Sequence, residues 1–302
     1  MASIHWPSAG VRLRTTARKG FKVSTGSAKV FKPYVPEIRA RAVRAFDERY
    51  PGLRFSPVVV VIAAFDEEGG IVGVLEGIAA EACGRQVDTL VIDDGSRDRT
   101  SEVSLARGAH VARLERNCGH GIALRVGYEL ARAHGARYIV TLDGDGQWDP
   151  GEVPRMLEPL LADEADLVLG SRILGRSEND AMFRQIGVHV FARLVRLLTG
   201  ARVTDTSTGL RAMRVEVPAT VRQEQVQYQT AELLIGSIYA GFRIAEIPIV
   251  QHKRTAGQSK KGGDLLYGFR YARVVLKTWW RERRRASGNA RGVSSTETPA
   301  SS

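Results

Sequence analysis

Continuous apolar runs alternate with helix-length stretches through the first part of this 302-residue chain. Val58-Val59-Val60-Val61-Ile62-Ala63-Ala64-Phe65 holds no polar side chain, and Leu90-Val91-Ile92, residues 109–114, Tyr138-Ile139-Val140 and residues 166–170 supply further short strands. Between them, residues 67–82, a segment running from Ser96 as N-cap to about Arg107, residues 119–134 and the stretch after Pro150 read as helices. Runs this apolar belong to parallel strands buried on both faces. Their alternation with helices is the βαβ signature of a doubly wound α/β sheet. Beyond Arg172 the rhythm changes. Phe183, Ile186, Val190, Phe191, Leu194 and Leu198 recur at helical spacing, with Arg184, Arg193 and Arg196 among them. A strand near 243–250 and a helix over about 263–284 complete the pattern.

Three of the apolar runs end in acids and glycines. The first stops at Asp66-Glu67-Glu68-Gly69-Gly70, the second at Asp93-Asp94-Gly95-Ser96, and the third at Asp143-Gly144-Asp145-Gly146-Gln147-Trp148. Ligands of open α/β sheets bind outside the carboxyl ends of the strands, so three such ends point to one shared site. Asp143 and Asp145, separated by one small residue, are hard oxygen donors suited to Mg²⁺ or Mn²⁺ holding a diphosphate. Turn formation is the competing explanation for any Asp-Gly pair, and it is strongest for Asp93 beside Gly95.

The ordered motifs VVIAAFDEE, VIDDGSRDRT, NCGHGIALRVGYELA, TLDGDGQWDP, DLVLGSR, DTSTGLRAMR and HKRTAGQSK resemble the family 2 glycosyltransferases, over roughly residues 57–280. The likeness is greatest to the dolichyl-phosphate or polyprenyl-phosphate mannose and glucose synthase branch. It implies a GT-A (Rossmann-like) fold with a central, mostly parallel sheet flanked by helices. It also implies metal-dependent transfer of a hexose, with inversion, from a UDP- or GDP-sugar to a polyprenyl phosphate. On this resemblance Asp143, Asp145 and Gln147 hold the Mg²⁺ or Mn²⁺ ion, with Asp145 also counted as catalytic. Ala63, Phe65, Glu67, Asp94, Asp143 and Gly144 line the nucleotide-sugar site. Chemically, Asp94 suits a base N–H and Glu67 suits ribose hydroxyls. Ala63 stands where the family usually has Pro, and Asp66 where it usually has Asn. His120, at a helix start between glycines, reads as a surface residue.

The acceptor side rests on Arg172, Arg184, Arg254 and Lys260. Guanidinium forks grip phosphate oxygens and an ammonium adds a point charge. A phosphate acceptor is already anionic and needs no base. A sugar hydroxyl on a cell-wall or soluble acceptor does, and Asp205 is the candidate. Arg184 has the strongest claim to be only a solvated charge, because it lies on an amphipathic helix.

Charge adds organisation. Residues 1–57 carry twelve Lys/Arg against three Asp/Glu, whereas residues 58–280 balance at 27 against 28. The expected division is therefore a basic, partly disordered arm over 1–56, a catalytic domain over 57–285 and a disordered tail over 286–302. A core without surplus positive charge argues against nucleic acid as partner. A non-catalytic protein binding anionic surfaces or nucleic acid through its arms is the reading from another class. A transit peptide fits the acid-free start, but Trp6, Pro7, Pro33 and Pro36 and the lack of an amphipathic period speak against it. Cys83 and Cys118 are too few for a disulfide framework. The longest apolar runs are near eight residues, far below the ~20 that span a bilayer. The expected location is cytoplasmic, peripheral on the inner membrane face. The helical stripe at 183–198 and the Lys277-Thr278-Trp279-Trp280-Arg281 segment suit an anionic membrane surface. Packing on the sheet or on a second copy of the chain explains them equally well.

Overall fold

Val58–Ala64 can be wholly apolar because it lies in the middle of the sheet, with a parallel neighbour on each side. The computed structural model describes residues 36–178, 182–254 and 264–293. In chain order these form α1 (Pro36–Arg49), β1 (Val58–Ala64), α2 (Ile71–Gly77), β2 (Glu81–Ala82), β3 (Arg85–Asp93) and α3 (Thr100–Ala106). There follow β4 (His110–Arg113), α4 (His120–Ala133), β5 (Tyr138–Asp143), α5 (Val153–Leu161), β6 (Leu167–Ser177) and α6 (Met182–Thr199). The chain continues as β7 (Arg211–Arg214), α7 (Glu216–Thr220), α8 (Gln229–Ala240), β8 (Ile244–Gln251) and α9 (Asp264–Val293). The sheet runs β3-β1-β5-β7-β6-β8, with both β2 and β4 paired to β3. Alternate residues of β1 face two cores. Val59, Val61 and Ala63 belong to the core that also holds Phe46, Leu124, Leu130, Ile235 and Tyr271. Val58, Val60, Ile62 and Ala64 belong to the opposite core, with Ile71, Met156 and Leu157.

Register sets up the site. Ala64 pairs with Asp93 on β3, and Ala63 pairs with Asp143 on β5. The three acidic strand ends therefore leave the sheet at one level.

Several elements differ from expectation for identifiable reasons. β7 is antiparallel to both β5 and β6. Its Arg211-Ala212-Met213-Arg214 sequence carries a buried arginine, which breaks the apolar signature of a central strand. α8 buries nearly every side of its first turns, so it offers no amphipathic stripe to read. The helix expected over 67–82 is only Ile71–Gly77, because residues 81–86 turn back as a β2–β3 hairpin through Cys83 and Gly84 at positive φ. Ser96 does not cap α3. Its Oγ accepts the Asp66 N–H at 3.0 Å instead, tying two strand-end loops together.

The domain boundaries need correction at both ends. Residues 36–49, expected to belong to the basic arm, form α1, which inserts Ile38, Ala42 and Phe46 into the core. α9 runs on to Val293, past the boundary expected at 285. Phe46 packs its ring 4.7 Å from Tyr50 and 5.5 Å from His134. Phe46→Ala is expected to cost about 3–5 kcal/mol in urea unfolding. A solvated arm would make the same change silent. Among the described residues, no helix is long and apolar enough to cross a membrane.

Candidate active site

Asp143 is the last residue of β5, and the chain then loops back so that Trp148 is buried beneath it. The Trp148 indole N–H donates to Asp143 Oδ2 at 2.9 Å, and His120 Nε2 lies 3.2 Å from Asp143 Oδ1. Asp145 is nearly buried. Its Oδ1 accepts the Gln147 N–H at 3.1 Å, and its Oδ2 pairs with Arg254 at 2.6 Å. The same guanidinium reaches Glu67 Oε1 at 3.5 Å, so one cation bridges two strand ends. The Gln147 carbonyl accepts the His252 N–H at 2.9 Å, which fastens the loop after β5 to the segment after β8.

The closeness of these groups requires glycines. A Cβ on Gly209 would run into Asp143 Oδ2 and come within 2.6 Å of Trp148 Nε1. A Cβ on Gly70 would lie 2.9 Å from the Gly144 carbonyl oxygen, so the first and third strand ends also meet through backbone.

At the second strand end the two aspartates separate in role. Asp93 is fully buried and accepts from the Ser96 N–H, the Ser101 hydroxyl and the Arg113 guanidinium. It holds the turn. Asp94 accepts the N–H groups of Cys118 at 2.7 Å and Gly119 at 2.8 Å, gripping the start of α4. Gly119 has φ +101°, a conformation suited to glycine. Phe65, half-buried, lies beneath the Arg97 guanidinium at 5.7 Å from its ring centroid.

On the acceptor side Arg172 and the fully buried Asp205 form a forked pair, with Nε–Oδ2 at 2.7 Å and Nη2–Oδ1 at 2.8 Å. Asp205 also accepts from the Ser207 N–H, and Arg172 donates to the Ser207 hydroxyl at 2.7 Å. The loop carrying Asp205 is fixed by Glu246, which accepts the N–H groups of Thr204 and Asp205. Burial pushes the Glu246 carboxyl up from its ordinary value. Arg172 stands 5.8 Å over the Trp148 ring, so the two clusters adjoin.

The sequence model of the family described as "Glycosyl transferase family 2" matches residues 59–220, more than half of the chain. The chain belongs to the family 2 glycosyltransferases. A dolichyl-phosphate hexose transferase of Haloferax volcanii is 35% identical over 206 residues, covering 68% of this chain and 87% of the relative. An undecaprenyl-phosphate mannosyltransferase of Micrococcus luteus is 29% identical over 190 residues, covering 59% and 77%. Glucosyl-3-phosphoglycerate synthase of Mycobacterium tuberculosis, solved with Mn²⁺, UDP and glucosyl-3-phosphoglycerate, matches with a TM-score of 0.58 at 20% identity, over 85% of this chain and 86% of that one. The last likeness is one of fold, and it is the GT-A fold.

In this glycosyltransferase the structure brings together Asp143, Gly144, Asp145, Glu67 and Arg254, and joins Arg172 to Asp205. Ala63 lies level with Asp143 in the sheet, and Gln147 contributes backbone contacts to the same loop. Arg254, expected on the acceptor phosphate, instead faces the two donor-side acids. The side chain of Arg184 and the whole of Lys260 lie outside the described residues. Asp205, expected as the base for a hydroxyl acceptor, is paired instead with an arginine. Its carboxylate is committed to Arg172 and Ser207 with no exposed surface, an arrangement that holds a guanidinium in place. Trp148, Gly209 and Glu246 were not singled out as site residues by the sequence motifs. The only hint was that Trp148 and Gly209 fall inside two of those motifs.

The donor set fits a hard divalent cation that arrives with its diphosphate. Mg²⁺ keeps waters and takes one or two carboxylates beside phosphate oxygens. Among the described residues no group of three His, Cys, Asp or Glu is placed to hold an ion unaided. The Arg254 guanidinium between Asp145 and Glu67 shows that this spot attracts positive charge.

Burial raises Asp94 to about 6, against the lowering pull of its two backbone N–H donors. A carboxyl raised on folding binds its proton more tightly in the native state. Its contribution is therefore complete below the unfolded value of 3.8 and is lost as pH climbs through about 6. Asp94→Asn removes that dependence. From pH 4 to 7.5 the variant is expected to gain about 2 kcal/mol on the parent in paired denaturant titrations. A constant difference across that range would refute the assignment.

Proposed function

We propose that this enzyme transfers a hexose from a UDP- or GDP-sugar to a polyprenyl phosphate, inverting the anomeric centre, at the cytoplasmic face of a membrane. The observation that carries the reading is the pairing of clusters. A diacid strand end suited to a metal-bound diphosphate adjoins a guanidinium whose carboxylate partner is too committed to act as a base. Such a site favours an acceptor that is already anionic. The names of the Haloferax and Micrococcus relatives support the same acceptor class.

In the proposed reaction an oxygen of the acceptor phosphate attacks the anomeric carbon. The bond from that carbon to the nucleoside diphosphate breaks on the opposite face, and the leaving group takes the electron pair. No proton need move. Asp143 and Asp145 would hold Mg²⁺ or Mn²⁺, which when bound neutralises charge growing on the departing diphosphate. Glu67 and Asp94 orient the nucleoside, and Arg172 holds the incoming phosphate. Asp205 positions Arg172.

Access to a lipid acceptor is supported by two helix faces. α6 contains no acidic residue and exposes Ile186, Val190 and Leu197. α9 exposes Phe269, Leu276 and Trp280 among Arg273, Lys277 and Arg284. Apolar faces flanked by cations suit an anionic lipid surface.

The test is to incubate the purified chain with a panel of nucleotide sugars, Mn²⁺ or Mg²⁺, and short polyprenyl phosphates, with mass detection of product. A lipid-linked sugar phosphate is expected, and a chelator should abolish it. Transfer only to sugar hydroxyls, or turnover indifferent to chelation, would refute the proposal.

A further inference from the structure

We infer that Trp148 is a positioning residue that sets the donor-side carboxylate and the acceptor-side guanidinium against one another. The inference rests on the proposed function and assigns a role within it. An indole offers one donor and no acceptor, so a buried Trp needs a partner for its N–H. Trp148, only 3% exposed, finds that partner in Asp143, at 2.9 Å. The ring face does a second job, lying under Arg172 at 5.8 Å, within the ~6 Å at which a cation is drawn to an aromatic face.

The backbone makes this placement rigid. Trp148 forms an isolated antiparallel bridge with Gln251, and Gln251 Oε1 accepts from Arg172 Nη1 at 3.4 Å and from the Ser177 hydroxyl at 3.0 Å. Gly209 leaves room for Asp143 and the indole to meet, since any side chain there would enter their contact. A residue serving only to fill the core would need neither a hydrogen bond to a strand-end acid nor a cation over its face. Groups that hydrogen-bond a ligating carboxylate fix its orientation, and removing them typically costs 10–100-fold in metal affinity.

The two contacts are separable. Trp148→Phe removes the N–H and keeps an aromatic face, whereas Trp148→Leu removes both. Using the full chain with UDP and, in a parallel series, GDP present and acceptor absent, Mn²⁺ binding beyond that of the nucleotide alone is read from the free-ion electron paramagnetic resonance signal. Trp148→Phe is expected to raise the Mn²⁺ Kd by about tenfold or more, with KM for a short polyprenyl phosphate within about twofold of the parent. Trp148→Leu is expected to raise both. Loss of general packing would not split the two parameters in that way. Should Trp148→Phe fail to fold, Gly209→Ala applies the same lesion from the other side by wedging a methyl between Asp143 and the indole. It is expected to raise the Mn²⁺ Kd likewise. A parent that binds Mn²⁺ alongside a folded Trp148→Phe or Gly209→Ala variant of equal affinity would overturn the inference. A parent that binds no Mn²⁺ with either nucleotide would instead overturn the metal-dependent reading on which the inference stands.

Discussion

Asp145→Asn is expected to lower kcat/KM for sugar transfer by about a thousandfold, or ~4 kcal/mol of transition-state stabilisation. The change is nearly isosteric, so its effect isolates charge. Asp145 is held by the Gln147 N–H and by Arg254, and an amide oxygen can accept from either. The variant should therefore fold, with a melting temperature within a few degrees of the parent. What it lacks is one of the two negative charges that the proposed cation needs while the diphosphate departs. Excess Mn²⁺ should recover part of the rate if the loss is one of metal affinity. The measurement is a steady-state series in nucleotide sugar at several Mn²⁺ concentrations. Retention of more than a tenth of the parental kcat/KM would rule Asp145 out as a metal ligand.

The part of the fold around this residue was legible because its physics is local. β1, the Leu90-Val91-Ile92 end of β3, and most of β5 are apolar runs buried on both faces, and each ends where acids and glycines begin. Those features predict parallel neighbours and a common edge, and the register of Ala63 with Asp143 and Ala64 with Asp93 bears this out. What escaped was set by contacts distant in sequence. Nothing near Arg211 announces that a short polar strand will slot between β5 and β6. Nothing near Phe46 announces that a chain segment rich in arginine will lay one face on the core, since three buried residues in fourteen make a weak stripe. The site divides in the same way. The diacid motif identifies itself, because hard ligands at a strand end have few other uses. Asp205 does not, because a carboxylate in a loop reads alike whether it faces a substrate or an arginine 33 positions away.

That last ambiguity yields the second large effect. Arg172→Ala is expected to destabilise the protein by about 3–5 kcal/mol, because it strands the Asp205 carboxylate, fully buried, without its countercharge. Arg172→Lys should recover little of this, since an ammonium cannot reproduce a fork closed on both carboxylate oxygens. Asp205→Asn then separates the two parts the residue was offered. An amide at that position can still accept from Arg172, but it grips a guanidinium less tightly and cannot take a proton at all. If Asp205 were the base for a hydroxyl acceptor, kcat would collapse while acceptor KM and thermal stability stayed close to the parent. If it holds Arg172 for an anionic acceptor, acceptor KM should rise and the melting temperature should fall, with kcat reduced far less. Steady-state kinetics in polyprenyl phosphate and in a sugar-hydroxyl acceptor, with parallel thermal melts, distinguish the two. The buried, doubly engaged carboxylate favours the second outcome, because a base must reach its substrate and this one reaches an arginine.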